Sequence, residues 1–230
     1  MFKRHYLIYL STLFIGCNNQ KPDTAVNDFI KNTQPVKIKL IKNLGFVTMR
    51  VPNTYNTLLT WTSLSDCTEC GTVKYRLQPK DLPIAKESGF IPFPHPPKDS
   101  INQLTIYHDD FLYPNAIISN SVDRITKLHK ASKRAFIEKM RLKTDGQIKR
   151  HIPWDSVENI NGRFFSIIET NEFDSTRNQY IKTLFGETSI SKTSIKFRYE
   201  LLTMNNDSTT IHFFENARNL IRTIRIIESK

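Results

Sequence analysis

SIKFRYELLTMNNDSTTIHFFENARNLIRTIRII, residues 194–227, changes its hydrophobic period once along its length. Ile195, Phe197, Tyr199 and Leu201 alternate with Lys196, Arg198 and Glu200, the pattern of a strand with one buried face. Asn205, Asn206 and Asp207 form a polar turn. Beyond it Phe214, Ala217, Ile221 and Ile224 recur at helical spacing, with Phe213 and Leu220 widening the stripe, which predicts a helix laid on a sheet.

The same two periods organise the rest of the chain. Val36, Ile38 and Leu40, then Val47, Met49 and Val51, then Val73, Tyr75 and Leu77 alternate with polar residues, and residues 55–64, 104–111, 165–167 and 180–185 are β-rich. Between 120 and 140 the period lengthens: Val122, Ile125, Leu128, Ser132, Ala135, Phe136 and Met140 share one helical face. Asn120 or Ser121 suits the cap of that helix and Gly146 its stop. Six prolines from Pro79 to Pro97 forbid a helix or central strand and predict a long surface excursion. The expectation is one α+β domain over residues 36–230, a mostly antiparallel sheet flanked by helices.

Composition excludes several function classes. With 230 residues, 39% hydrophobic, the chain is neither disordered nor a multi-span membrane protein in composition. Three cysteines do not build a dense disulfide scaffold, and no P-loop, dinucleotide fingerprint, HExxH helix or serine nucleophile elbow is present.

The amino terminus, MFKRHYLIYLSTLFIGC, places Lys3 and Arg4 before an apolar run from Leu7 to Ile15. That is the order of a signal peptide. As a helix the ten residues from Leu7 to Gly16 are roughly 15 Å long, about half a bilayer core. Polarity rises abruptly at Cys17, which follows Gly16. Here the chain resembles a bacterial lipoprotein precursor, whose lipobox puts a small residue before an acylated cysteine, although Phe14 stands where that pattern usually has Leu. The resemblance implies a leader over residues 1–16, a diacylglyceryl thioether on Cys17, and a lipidated tether over residues 17–35. Cleavage removes Lys3 and Arg4 from the 33 cations and leaves an excess of nine over the 22 acids. Asn18 is not the acidic residue of an inner-membrane retention signal, so the periplasmic leaflet of the outer membrane is the expected address.

Residues 194–227 are also similar to the PsbP-like superfamily, which includes thylakoid extrinsic subunits and some bacterial lipoproteins. That resemblance implies an antiparallel sheet flanked by helices and a binding or assembly role. The proline-rich middle departs from it.

Three local constellations carry possible chemistry. Cys67 and Cys70, in a CxxCG element, suit a local disulfide bracing a turn in an oxidising envelope, with zinc (completed by His95, His108, His129 or His151) and thiol redox as alternatives. His108, Asp109 and Asp110 offer an imidazole and two carboxylates to an envelope hydrolase or metal-dependent enzyme, but neighbours on a strand point to opposite faces. Between Arg124 and Arg150, ten Lys and Arg face only Glu138 and Asp145. An envelope address removes nucleic acid, leaving anionic lipid, cell-wall polymer or an envelope protein as partners. No residue is assigned as catalytic, and no metal or cofactor is expected. The leading reading is a non-catalytic, lipid-anchored envelope protein.

Overall fold

The computed structural model of the chain describes residues 29–63, 71–82, 100–112, 118–142, 148–190 and 192–229. The chain divides into Met1–Asn32 and Thr33–Lys230, and every element named below belongs to the second unit. In order these are β1 (Thr33–Leu40), β2 (Gly45–Pro52), β3 (Thr57–Ser63), β4 (Thr72–Gln78), β5 (Ser100–Asp109), α1 (Val122–Leu142), β6 (Ile148–His151), β7 (Asp155–Ile160), β8 (Arg163–Asp174), β9 (Gln179–Ile190), β10 (Thr193–Thr203), α2 (Ser208–Ile211), α3 (Phe213–Ile221) and β11 (Arg225–Ile227).

All strand pairs are antiparallel. β1, β2 and β11 form one sheet. The larger sheet runs β3-β4-β5-β10-β9-β8-β6, and β7 shares an edge of the long strand β8 with β6. The fold is thus mostly antiparallel sheet with a few helices.

Register gives the large sheet two unlike faces, because paired residues project to the same side. Tyr75, Ile106, Phe197, Gly186 and Ile167 form one row across it. The four side chains of that row are almost fully buried. The turn after β1 and the segment between β2 and β3 reach this inner face, where the Ile41 N–H donates to Tyr75 Oη (2.6 Å) and Tyr55 Oη donates to Asn102 Oδ1 (2.6 Å). The opposite face has rows such as Trp61, Lys74, Tyr107, Lys196, Glu187 and Ser166. Cations lie over rings there, Arg76 over Trp61 at 4.9 Å and Lys196 over Tyr107 at 5.8 Å.

Two glycines set how closely the layers approach. A Cβ on Gly186 would stand 2.3 Å from Ile221 Cδ1, so the tip of the Ile221 side chain on α3 fills the space that position 186 leaves empty on β9. Gly45 has φ +103°, and a Cβ there would lie 1.9 Å from the Ile227 carbonyl oxygen. Its conformation and the pairing of β11 with β2 both require glycine.

The structure departs from the sequence expectations in four places. β1 begins at Thr33, ahead of the expected tether boundary, and takes Pro35 into an edge strand, where a missing N–H costs no ladder bond. The last helix stops at Ile221, and Ile224 is buried beyond it, before the β-branched run enters β11. The short helix α2 follows the expected polar turn directly, capped by the Asp207 carboxylate accepting from the Thr210 N–H at 3.0 Å. β6 and β7 were not expected. β7 and β8 form a hairpin closed by Asn161 (φ 50°) and Gly162 (φ +85°), a pair of residues suited to positive φ.

Gly186→Ala should lower stability by roughly 1–3 kcal/mol through overpacking against the fully buried Ile221. Adding Ile221→Val, which removes the clashing methyl, should recover part of that loss, although Ile221→Val alone costs about 0.5–1.5 kcal/mol. Urea unfolding midpoints of the two single variants and the double variant check this.

Candidate functional site

His108 sits in the inner face of β5 and is 1% exposed. Its Nδ1 lies 2.8 Å from the Asp109 carbonyl oxygen, which only accepts, so Nδ1 carries the hydrogen. Nε2 then accepts from Tyr75 Oη at 3.1 Å, and Tyr75 itself accepts the Ile41 N–H. Burial lowers the His108 pKa despite the charges of Asp109 and Asp110, and burial raises that of Tyr75. A neutral imidazole is thereby fully occupied. Asp109 is exposed on the other face, while Asp110 pairs with Lys42 at 3.3 Å. The three residues do not converge.

A second imidazole stands between α1 and the sheet. His129 Nδ1 is 3.0 Å from Ser166 Oγ on β8, and Nε2 is 2.9 Å from Asp155 Oδ1 on β7. Lys133, one helical turn on, donates to Asp155 Oδ2 at 2.6 Å. Serine, histidine and aspartate in this order have the connectivity of a nucleophile triad. Ser166, however, is only 3% exposed. The described cleft, about 250 Å³ and lined by Leu82, Ile101, Leu201 and Leu202, has none of the three residues in its wall. The arrangement is a polar clamp that fixes the helix to the sheet. Burial acts to raise the Asp155 pKa, but the hydrogen bonds from Lys133 and His129 outweigh it and hold the carboxyl below its ordinary value.

The clamp orients α1. Its start is tied down by Asn120, whose Oδ1 accepts the Phe164 N–H (2.8 Å) and whose Nδ2 donates to the Phe164 carbonyl (3.1 Å). Ser121 Oγ caps the Arg124 N–H. Ile125, His129, Ser132 and Phe136 then face the sheet, with the Phe136 ring 4.6 Å from that of Phe185. Lys127, Lys130 and Arg134 consequently point outward. They are exposed, three or four residues apart, and none makes an ion pair among the described residues. This cationic stripe is the candidate functional site.

One more buried ion lies on the inner face. Glu169, 1% exposed, accepts from Arg218 at 2.5 Å, and the guanidinium also lies 5.3 Å from the Trp154 ring. Burial raises the Glu169 pKa, only partly opposed by Arg218. The carboxylate is oriented and covered.

Cys17, Cys67, Cys70 and His95 lie outside the described residues. His151 is exposed at the end of β6. Among the described residues no group of three His, Cys, Asp or Glu is placed to hold a metal ion, and no helix is long and apolar enough to cross a membrane. The sequence singled out His129 as a possible metal ligand and showed no pairing for Glu169, but Asp155, Ser166 and Arg218 were passed over. The usable signal was positional, since His129 falls four residues after Ile125 and three before Ser132 on the inner stripe. Comparison of the chain with protein-family models and with curated proteins gives no match.

The Asp155 stabilisation is complete above the ordinary carboxyl value of 3.8 and is lost as pH falls through its lower folded value. Asp155→Asn should therefore flatten the loss of stability below about pH 4. Urea unfolding of parent and variant across pH 2–6 reads the difference.

Proposed function

We propose that the chain is a lipid-anchored cell-envelope protein with a non-catalytic binding or assembly role, which presents the outer face of α1 to a polyanionic partner. One observation carries the binding half of this reading: Lys127, Lys130 and Arg134 are exposed and unpaired among the described residues, while His108, His129, Ser166 and Asp155 are committed to internal bonds. Anionic lipid head groups or a cell-wall polymer fit such a stripe.

The anchoring half rests on the leader and on Gly16-Cys17, which favour acylation of Cys17 and an address at the periplasmic leaflet of the outer membrane. Cys67 and Cys70 form a local disulfide in that oxidising setting. The finer architecture follows the PsbP-like resemblance, a single domain whose sheet has a helix on each side. It is supported by α1 at Phe185 and α3 at Gly186, neighbours on β9 that project to opposite faces. A hydrolase or metal-dependent enzyme using His108, Asp109 and Asp110 is the weaker reading, since these residues point apart.

Cys17→Ala should abolish membrane retention and metabolic lipid labelling of the mature protein. Unchanged lipid incorporation would overturn the anchor. The Cys17→Ala chain also isolates the cationic stripe. Each cation contributes about 1 kcal/mol at an anionic surface. The triple change Lys127→Glu, Lys130→Glu, Arg134→Glu should thus weaken binding to phosphatidylglycerol vesicles at least about a hundredfold. In cosedimentation the parent's binding should also fade as salt rises from about 0.1 to 1 M, where the Debye length shrinks from about 10 to 3 Å.

A further inference from the structure

The small sheet carries a charge balance unlike that of the whole chain, which sets 33 cations against 22 acids. β1, β2 and β11 read TQPVKIKL, GFVTMRVP and RII, with Lys37, Lys39, Arg50 and Arg225 but no Asp or Glu. Register sorts these residues by face, since paired residues project to the same side. Ile38, Val47 and Ile226 form one row, and Ile38 and Val47 are buried in the core. The rows flanking it project the other way: Lys37, Thr48 and Arg225, then Lys39, Phe46 and Ile227.

This second face is open to solvent. Lys37, Lys39 and Arg225 are exposed and Ile227 is 55% exposed, while Phe46 and Thr48 are half-buried. None of the three cations makes an ion pair among the described residues. The Lys37 ammonium stands 4.3 Å from the centre of the Phe46 ring. Arg50, on the same face, is held at Thr33 by a 2.8 Å bond from Nε to Oγ1. Adjacent strands lie about 4.8 Å apart, so the three cations and two apolar side chains share a patch on the order of 10 Å across.

We propose that this face of the small sheet docks on an anionic bilayer, the membrane to which the amino-terminal end of the chain is tethered. Charge complementarity calls for an anionic partner. The apolar part of the patch selects a lipid surface over a hydrated polymer, because the boundary between head groups and acyl chains accepts Phe46 and Ile227 while the phosphates meet the cations. The course of the chain brings the two together. Residues 17–32 alone separate Cys17 from β1, so a lipid on Cys17 keeps Thr33 within about 55 Å of the bilayer even if that segment is fully extended. At so short a range docking is an intramolecular step, which needs little intrinsic affinity. Delivery to the bilayer rests on the anchoring proposed above, whereas the chemistry of the face does not. The turn after β1 reaches the inner face of the large sheet at Tyr75, and α1 packs on the opposite face at Phe185. A chain docked by the small sheet therefore turns its α1 stripe away from that bilayer.

Tryptophan reporters in the full chain test this. The chain is reconstituted from detergent into vesicles, where it is held by a lipid on Cys17 or, if that residue is unmodified, by the apolar run from Leu7 to Ile15. Lipid labelling reads the anchor separately. In vesicles of phosphatidylglycerol and brominated phosphatidylcholine, Ile227→Trp should lose fluorescence to the bromines beyond the loss of the parent, whose tryptophans are Trp61 and Trp154. Thr48→Trp, on the same face, serves as a second reporter. Ile137→Trp on α1, at a position 37% exposed, should show no such loss. Adding Lys37→Glu, Lys39→Glu and Arg225→Glu should abolish the extra loss at 227 with an unchanged circular dichroism spectrum. The triple change on α1 should leave it in place. No extra loss at either reporter, equal loss in vesicles of phosphatidylcholine alone, or a loss that survives the three reversals on the small sheet overturns the proposal. So does a loss at 137, or one at 227 that disappears with the α1 change, either of which would put α1 on the membrane instead.

Discussion

The absence of a side chain at Gly186 is the constraint on which the close packing of α3 against the sheet depends. It lets Ile221 press onto the sheet beside Phe197, and so fixes how low α3 rides over β9. From that height Arg218 reaches Glu169 on β8, and the turn after the helix reaches two separate elements. Thr223 Oγ1 accepts the Arg50 N–H on β2 at 2.9 Å, and Asn161 Nδ2 donates to the Ile224 carbonyl at 2.7 Å. A shift of α3 by one methyl group would disturb the ion pair, the small sheet and the β7–β8 hairpin together.

The two faces of the large sheet divide the work between stability and recognition. The inner face is largely apolar; its Tyr75–His108 relay is satisfied internally, whereas the buried Tyr199 hydroxyl has no hydrogen-bond partner among the described residues. The opposite face mixes cations, rings and carboxylates, and binds its helix with a polar clamp as well as the Phe136–Phe185 contact. Directional bonds of that kind fix rotation about the helix axis better than apolar packing does, and rotation decides which cations face outward. The stripe on α1 is therefore a product of His129 and Asp155 as much as of the lysines themselves.

Strands with strict alternation were legible: Ile195 to Leu201 and Val47 to Val51 read correctly because one face of each is buried and the other is less so, and Val73 to Leu77 because its polar face alternates in chemistry even though Arg76 is buried too. β8 was only partly legible, since residues 165–170 are buried on both faces and show no period. β7 was missed because DSVENI has no apolar alternation, although Asn161-Gly162 after it is a hairpin signal. On α1, Val122 and Ala135 fit the periodic stripe yet are exposed, whereas His129 is buried because a hydrogen-bonded imidazole suits a polar sheet face. Catalytic-looking neighbours in sequence, His108 to Asp110, separated in space for the reason alternation requires. The Ser166, His129 and Asp155 cluster joins three elements and leaves no trace in any one of them.

The closure of the small sheet has a kinetic side. β2 forms its first partnership locally, with β1, but its second with β11, across 177 residues between Thr48 and Arg225. Bringing such distant segments together carries the largest loop-entropy cost and is characteristically slow. The β1–β2 hairpin must therefore wait, half covered, until β11 has been made, and the compaction of the small sheet is governed by the last of its strands instead of the first.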